Sequence, residues 1–199
     1  MYPASLTDDV VRLVRGRAEA GAGPADVAVL GIGGRSGAGK STLAADAVAA
    51  LRAESGRDDA VVPIAIEDYY RGWDGLIDGV LALRPVLAEL RVGRSGSART
   101  WDWHADGPGP VRPTPPPAEP APGGTGVVVV EGCGVHLLRD DLDILVWLDE
   151  PEDVRRRRAE ARDGDVTSWW DRWTAQERAA HASLDPLTVA DLVLRPRAG

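Results

Sequence analysis

The feature that most limits how this 199-residue chain can fold is the run Gly34-Arg35-Ser36-Gly37-Ala38-Gly39-Lys40-Ser41, followed by Thr42. It matches G-x-x-x-x-G-K-S/T, a loop that cradles phosphate when a strand precedes it and a helix follows. Both conditions are met. Val27-Ala28-Val29-Leu30-Gly31-Ile32 is a short apolar run suited to a buried parallel strand. The residues after the loop predict a helix over 39–54, with Leu43, Ala44, Ala47, Val48 and Leu51 as its apolar positions. Glycines let backbone N–H groups turn inward around phosphate oxygens without Cβ clashes. The helix N-terminus adds a partial positive charge. Lys40 is expected to reach the β and γ phosphates, and the Ser41 hydroxyl to ligate Mg²⁺. Gly34, Arg35, Ser36, Gly37, Ala38, Gly39, Lys40, Ser41 and Thr42 are therefore the predicted residues for binding a nucleoside triphosphate. The loop alone does not separate kinase from ATPase or GTPase.

Composition reinforces the loop. Of 23 basic side chains, Lys40 is the one lysine and the rest are arginines. The chain also lacks Phe and Asn, as a GC-rich codon bias would produce. Arginine can replace lysine at surface and bidentate sites. A planar fork is too wide for a phosphate cradle, so the lysine that survives the bias marks the site. The net charge of −8 argues against a nucleic-acid groove. No apolar run reaches the ~18 residues of a membrane span, and the N-terminal residues lack a signal-peptide pattern. A single cysteine, Cys133, excludes an internal disulfide or a Cys-rich metal site. The expected compartment is the cytoplasm.

One domain over 1–199 is expected, of the α/β class. Residues 1–24 are read as an N-terminal helical segment, with the helix over 5–20 capped by Thr7 or Ser5. Val61–Ile66 is a second strand, with Pro63 near an edge or a start. Residues 75–91 are helical, and Pro85 should kink that helix or start a new one. Eight of the fifteen prolines lie between Pro108 and Pro122, so 107–126 is read as an exposed, partly polyproline loop. Val127–Glu131, Ile144–Asp149 and Leu192–Leu194 are further strands. Pro151 starts a helix in a lid region over 151–166, and 166–183 form a Trp-rich helix. Trp169 and Trp173 share a face and are read as packing, with a wall of the substrate site as the alternative. Strands alternating with helices predict a parallel sheet of about five strands with helices on both faces.

A guanine-reading N-K-x-D motif needs an Asn and a second Lys, and neither exists. No L-S-G-G-Q motif occurs either. A small chain with this loop and no partner motif favours a small-molecule kinase. Glu67 and Asp68 end the second strand, where a carboxylate can take the acceptor's hydroxyl proton. Arg155, Arg158 and Arg162 share one face of the lid helix, where guanidiniums can meet the charge of a moving phosphoryl group.

Four segments now form a combination: Gly31–Ser41, Glu67-Asp68-Tyr69-Tyr70-Arg71, Trp101-Asp102-Trp103 and Val130-Glu131-Gly132. In that order they resemble uridine kinases and their relatives, a superfamily that includes phosphoribulokinase and pantothenate kinase. The resemblance covers about residues 27–195 and is closest to short actinobacterial uridine kinase-like proteins, which share a tract like Tyr70-Arg71-Gly72-Trp73-Asp74-Gly75. It implies a P-loop kinase fold with an Arg-rich lid, whose R-x-x-R-x-x-x-R-D spacing matches Arg155 to Asp163. It puts Glu67 in register with the family's catalytic acid, usually Asp, and leaves Asp68 as an extra acid. Glu131 corresponds to the acid that helps Ser41 hold Mg²⁺. Asp74 corresponds to a sugar-binding residue, while Tyr70, Trp101, Asp102 and His104 are the remaining substrate-binding candidates. The family's His about five residues after the first aromatic is here Asp106, and His104 is the nearest histidine. The catalytic set implied is Lys40, Glu67 or Asp68, Arg158 and Arg162. The expected reaction is ATP-dependent phosphorylation of a small-molecule hydroxyl, foremost the 5′-hydroxyl of uridine or cytidine. The alternatives are another alcohol, such as pantothenate or a sugar phosphate, or nucleotide binding without turnover.

Overall fold

The computed structural model describes residues 4–19, 27–118 and 125–195. Strands β1 (Val27–Gly34), β2 (Val61–Ala65), β3 (Gly96–Asp102), β4 (Gly107–Thr114), β5 (Gly126–Gly132), β6 (Ile144–Leu148) and β7 (Leu192–Leu194) make two sheets. Five of them form one parallel sheet in the order β2-β5-β1-β6-β7, and β3 and β4 form a separate antiparallel hairpin. Around the large sheet lie α1 (Ala4–Glu19), α2 (Lys40–Ser55), α3 (Leu76–Leu81), α4 (Arg84–Leu90), α5 (Glu152–Asp163), α6 (Trp170–Ser183) and α7 (Pro186–Val189).

The three central strands are the most apolar stretches of the chain because both of their faces are covered. All eight residues of β1 and all five of β6 are buried. Side chains alternate between faces along each strand. Leu30, Ile32, Val129 and Val146 meet α1 and α2 through Val10, Val14, Leu43, Ala47 and Leu51. Val29, Val128, Val130 and Leu145 meet Leu76, Val80, Leu87, Leu90 and Trp173 on the opposite face. β2 is an edge strand, which explains how it tolerates Pro63 in register with Val129. Pro85 stands in the first turn of α4, so the expected helix over 75–91 is two helices.

Three expectations need correction. Residues 107–114 of the Pro-rich segment are strand β4, and 119–124 lie outside the described residues. A two-stranded ribbon leaves alternate N–H groups of each strand facing away from its partner. Proline at such positions loses no ladder bond, so Pro108 and Pro110 are compatible with pairing. The helix α1 begins at Ala4, which puts Ser5 and Thr7 inside its first turns and not at its cap. Residues 20–24 of the expected N-terminal segment lie outside the described residues. The Trp-rich helix starts at Trp170, after a turn that follows Gly164.

Candidate active site

The carboxyl ends of β1, β2 and β5 converge on one edge of the sheet, where open α/β sheets bind ligands. The phosphate loop leaves β1 there and closes on itself, with Ala38 N–H donating to Arg35 O at 3.0 Å and Leu43 N–H to Gly39 O at 3.1 Å. Gly39 (φ +94°) turns the chain into α2 in a left-handed conformation. Gly37 (φ +78°) also needs to be glycine for packing, since a Cβ would lie 2.2 Å from Arg155 O. The side chain of Arg155 is buried beneath the loop and donates to Glu150 O and Ser36 O, both at 3.1 Å. Its guanidinium also lies 5.7 Å from the Trp170 ring centroid.

Lys40 is buried and donates to Arg35 O at 3.2 Å. Burial opposes its charge, but Cys133, Glu131 and Glu177 together outweigh that and hold the ammonium above its ordinary pKa. Ser41 Oγ donates to Glu131 Oε1 at 3.1 Å. Burial raises the Glu131 carboxyl above its ordinary range, while Lys40 and the Ser41 hydroxyl pull it back. One hydroxyl and one carboxylate beside a phosphate cradle suit Mg²⁺, which takes a few protein oxygens and completes its shell with phosphate and water.

A cleft of about 670 Å³ runs from this loop toward the hairpin. Its phosphate end is lined by Ser36, Gly37, Lys40, Ser41 and Glu131. Its far end is lined by Glu67, Tyr70, Trp73, Trp103, Trp169 and Trp173, with Arg162 and Asp163 at the lid side. Trp73 is the centre of the aromatic group. It stacks on Trp169 at 5.4 Å between centroids and meets Trp103 and Trp173 edge-on at 5.3 and 6.0 Å. Tyr70 is buried edge-on to Trp173 at 4.9 Å and donates to Cys133 O at 2.8 Å. The Trp103 indole donates to Glu67 O at 3.1 Å, tying the hairpin turn to the end of β2.

The residues singled out in the sequence divide into two groups. Glu67, Tyr70, Arg162 and the phosphate-end residues line the cleft. Asp68 turns outward into an ion pair with Arg112 of β4. Asp74 pairs with Arg172, whose Nε donates to Oδ1 at 2.7 Å. Asp102 accepts the N–H groups of His104 and Ala105 at 2.9 and 3.0 Å, so it closes the hairpin turn, and these bonds lower its pKa. His104 is exposed on that turn. The Trp101 indole N–H is enclosed with no hydrogen-bond partner among the described residues. None of Asp68, Asp74, Trp101, Asp102 and His104 lines the cleft. Arg158 donates to Glu150 Oε1 at 2.9 Å and reaches Ala38 O at 3.5 Å at the root of the lid. Arg162 is bonded to its neighbour Asp163 at 2.6 and 2.7 Å.

Sequence reasoning missed Trp73 and Cys133 as cleft residues, and in the aromatic tract likened to a base pocket it singled out Trp101, where the structure lines the cleft with Trp103. Trp73 and Trp103 each stand next to a polar residue that drew the attention, Asp74 and Asp102. The pairing of β3 with β4 is what brings Trp103 back to the end of β2, and that hairpin was hidden by its prolines. Among the described residues no cluster of three or more metal-ligating side chains occurs, and no helix is long and apolar enough to cross a membrane.

No protein-family model matches this sequence, and no curated protein does. Solved structures match its fold. A candidate uridine kinase from Bacillus stearothermophilus is 21% identical, with 91% of this chain and 98% of that chain covered and a TM-score of 0.60. A candidate fructose transport system kinase from Silicibacter sp. is 19% identical, with 94% and 98% covered and a TM-score of 0.58. The fold is that of the P-loop kinases.

Proposed function

We propose that this protein transfers the γ-phosphoryl group of ATP to a hydroxyl of a small molecule. The observation that carries the reading is a single cleft lined by Lys40 and the Ser41–Glu131 pair at one end and by Glu67 at the other. The loop amides and Lys40 hold the phosphates. Ser41 and Glu131 would hold Mg²⁺, which neutralises phosphate charge when bound. Glu67 accepts the proton of the acceptor hydroxyl as its oxygen attacks phosphorus, and ADP leaves. Glu67 is favoured over Asp68 as the base because Asp68 is engaged by Arg112. Arg162 meets the developing charge, and Arg158 steadies the lid root against the loop. Closure of α5 over the cleft excludes water and so limits ATP hydrolysis.

The 5′-hydroxyl of uridine or cytidine is the acceptor proposed first, since a flat base can lie against the indoles. The structural likeness to a candidate uridine kinase agrees with that choice. A specific observation favours a second reading, another small alcohol. Asp74, Asp102 and His104, which would read sugar and base, are engaged or exposed outside the cleft. A cleft of about 670 Å³ in an acidic chain suits a small molecule rather than nucleic acid, and an ATP-dependent reaction suits the cytoplasm. ADP release measured over a panel of nucleosides, sugars, sugar phosphates and pantothenate decides. Turnover with uridine or cytidine that Lys40→Ala abolishes supports the first reading, and turnover with a non-nucleoside alone supports the second. Tight ATP binding with no acceptor consumed would sink both.

A further inference from the structure

We infer that Glu177 is a positioning residue for phosphoryl transfer, fixing the phosphate loop from behind and tying it to the helix that walls the far end of the cleft. The inference rests on the nucleotide-site reading above. Glu177 is only 2% exposed. Its Oε1 accepts the Ser36 N–H at 2.5 Å, a short charge-assisted bond. Its Oε2 is enclosed with no hydrogen-bond partner among the described residues. A carboxylate is costly to bury, and this one makes its one backbone hydrogen bond with the phosphate loop, with the Cys133 thiol beside it, which packing alone does not explain.

The surroundings give it a purpose. Ser36 is gripped on both sides of its backbone: Glu177 of α6 takes its N–H, and Arg155 of α5 donates to its carbonyl at 3.1 Å. One turn further along α6, His181 accepts from Arg35 at 3.2 Å. One turn before Glu177, Trp173 lines the cleft and packs on Tyr70. Trp173, Glu177 and His181 are spaced i, i+4, i+8 and so run along one side of α6. That one helix side touches the far-end wall first and two successive loop residues after it. A molecule lodged against Trp173 therefore bears on the same rigid element that sets the loop. The cationic groups Lys40 and Arg155 lie close enough to Glu177 for its charge to act on both, which offsets its burial.

Calorimetric titration with MgADP tests this without any acceptor. Glu177→Ala removes the anchor and is expected to weaken MgADP by about ten- to a hundredfold, the scale of losing one hydrogen bond to a charged group. Glu177→Gln keeps an oxygen for Ser36 N–H and should bind within about threefold of the unaltered chain, a rescue that loss of packing would not give. Should Glu177→Ala fail to fold, Glu177→Asp decides. One methylene shorter, it keeps the charge but falls short of Ser36, so MgADP should weaken in a variant that still unfolds in one cooperative transition. Unchanged MgADP binding in Glu177→Ala or Glu177→Asp overturns the inference alone, as does Glu177→Gln binding as weakly as Glu177→Ala. Absence of MgADP binding by the unaltered chain would overturn the nucleotide reading and this inference with it.

Discussion

The two ends of the cleft are made of different material. The phosphate end is a contiguous run closed by its own backbone, Ala38 N–H to Arg35 O and Leu43 N–H to Gly39 O, with one acid from the neighbouring strand. The far end is made of side chains from three distant segments. Glu67, Tyr70 and Trp73 follow β2, Trp103 sits on the hairpin turn, and Arg162, Trp169 and Trp173 come from the lid and α6. Backbone amides point the same way whatever side chain stands nearby, so the first end is committed to phosphate. The second end can change its chemistry at Glu67, Trp73 or Trp103 without disturbing the first, while Trp173 shares α6 with the loop's anchor Glu177. Substitutions at the two ends should therefore separate nucleotide binding from acceptor use.

The largest effect is expected at the phosphate end. Lys40→Ala removes the one buried ammonium facing the loop and should lower kcat by about 10³- to 10⁵-fold, the scale of losing a cation that stabilises a transferring phosphoryl group. It should weaken MgATP as well, since Lys40 contacts the loop before and during transfer. Steady-state ADP release checks this, and a kcat within about tenfold of the unaltered chain would break the assignment. Next comes the acid of the far end. Glu67→Gln should lower kcat by roughly 10²- to 10³-fold with MgADP affinity preserved, as expected of a general base. Asp68→Asn should change kcat by less than about threefold, because its loss releases an exposed ion pair with Arg112. The reverse ranking of the two variants would make Asp68 the base.

The same division explains what could be read in the sequence. The loop, its strand and its helix were legible because Gly34 to Thr42 are adjacent in the chain, and because the apolar runs of β1, β5 and β6 have no other way to be buried. Glu67 and Glu131 were legible as strand-end acids for the same reason. The far end was not, since its partners are defined by folding. Asp74 and Asp102 have the chemistry to hold a substrate, yet Arg172 and the turn amides of His104 and Ala105 take them first. Nothing in the local sequence announces that Arg172 will lie beside Asp74, a separation of 98 residues. The four far-end tryptophans were ambiguous because an indole serves packing and binding alike, and here Trp173 does both: it is buried in the core and it lines the cleft.

A middle-sized effect belongs to the far end alone. Trp73 meets Trp103, Trp169 and Trp173 through its indole, so Trp73→Ala opens the aromatic wall without touching the loop. The acceptor KM should rise by about tenfold, the scale of losing one aromatic contact together with some buried area. MgADP affinity should stay within about twofold. If nucleotide affinity fell in step with the acceptor, the independence of the two ends would fail, and the coupling through α6 would be stronger than one helix contact provides.

The smallest effect lies behind the phosphate end and depends on pH. His181 packs between Arg35, His136 and Trp147 on the far side of the loop. Burial first, then the charges of Arg35 and His136, push its imidazole pKa down to about 4, with Asp185 opposing and Arg155 adding to the fall. Burial also lowers His136 from its ordinary value. Between about 4 and the ordinary value of 6.5, the unfolded chain holds a proton at His181 that the folded chain does not. Stability therefore rises with pH across that window and is lost as pH falls through it. The Asp74 and Asp102 carboxyls, outside the cleft, are lowered instead by hydrogen bonds, so their contribution persists down to the ordinary carboxylate value of 3.8 and fades only below it. Acidification from pH 7 to 5 should thus lower the stability of the fold through His181 while leaving the contributions of Asp74 and Asp102 in place. His181→Gln keeps an oxygen for Arg35 and removes the titration, so its unfolding temperature should fall by a few degrees less than that of the unaltered chain over the same range. Parallel melting curves for the two chains from pH 7 to 5 would show that the loop's backing does not sense the proton.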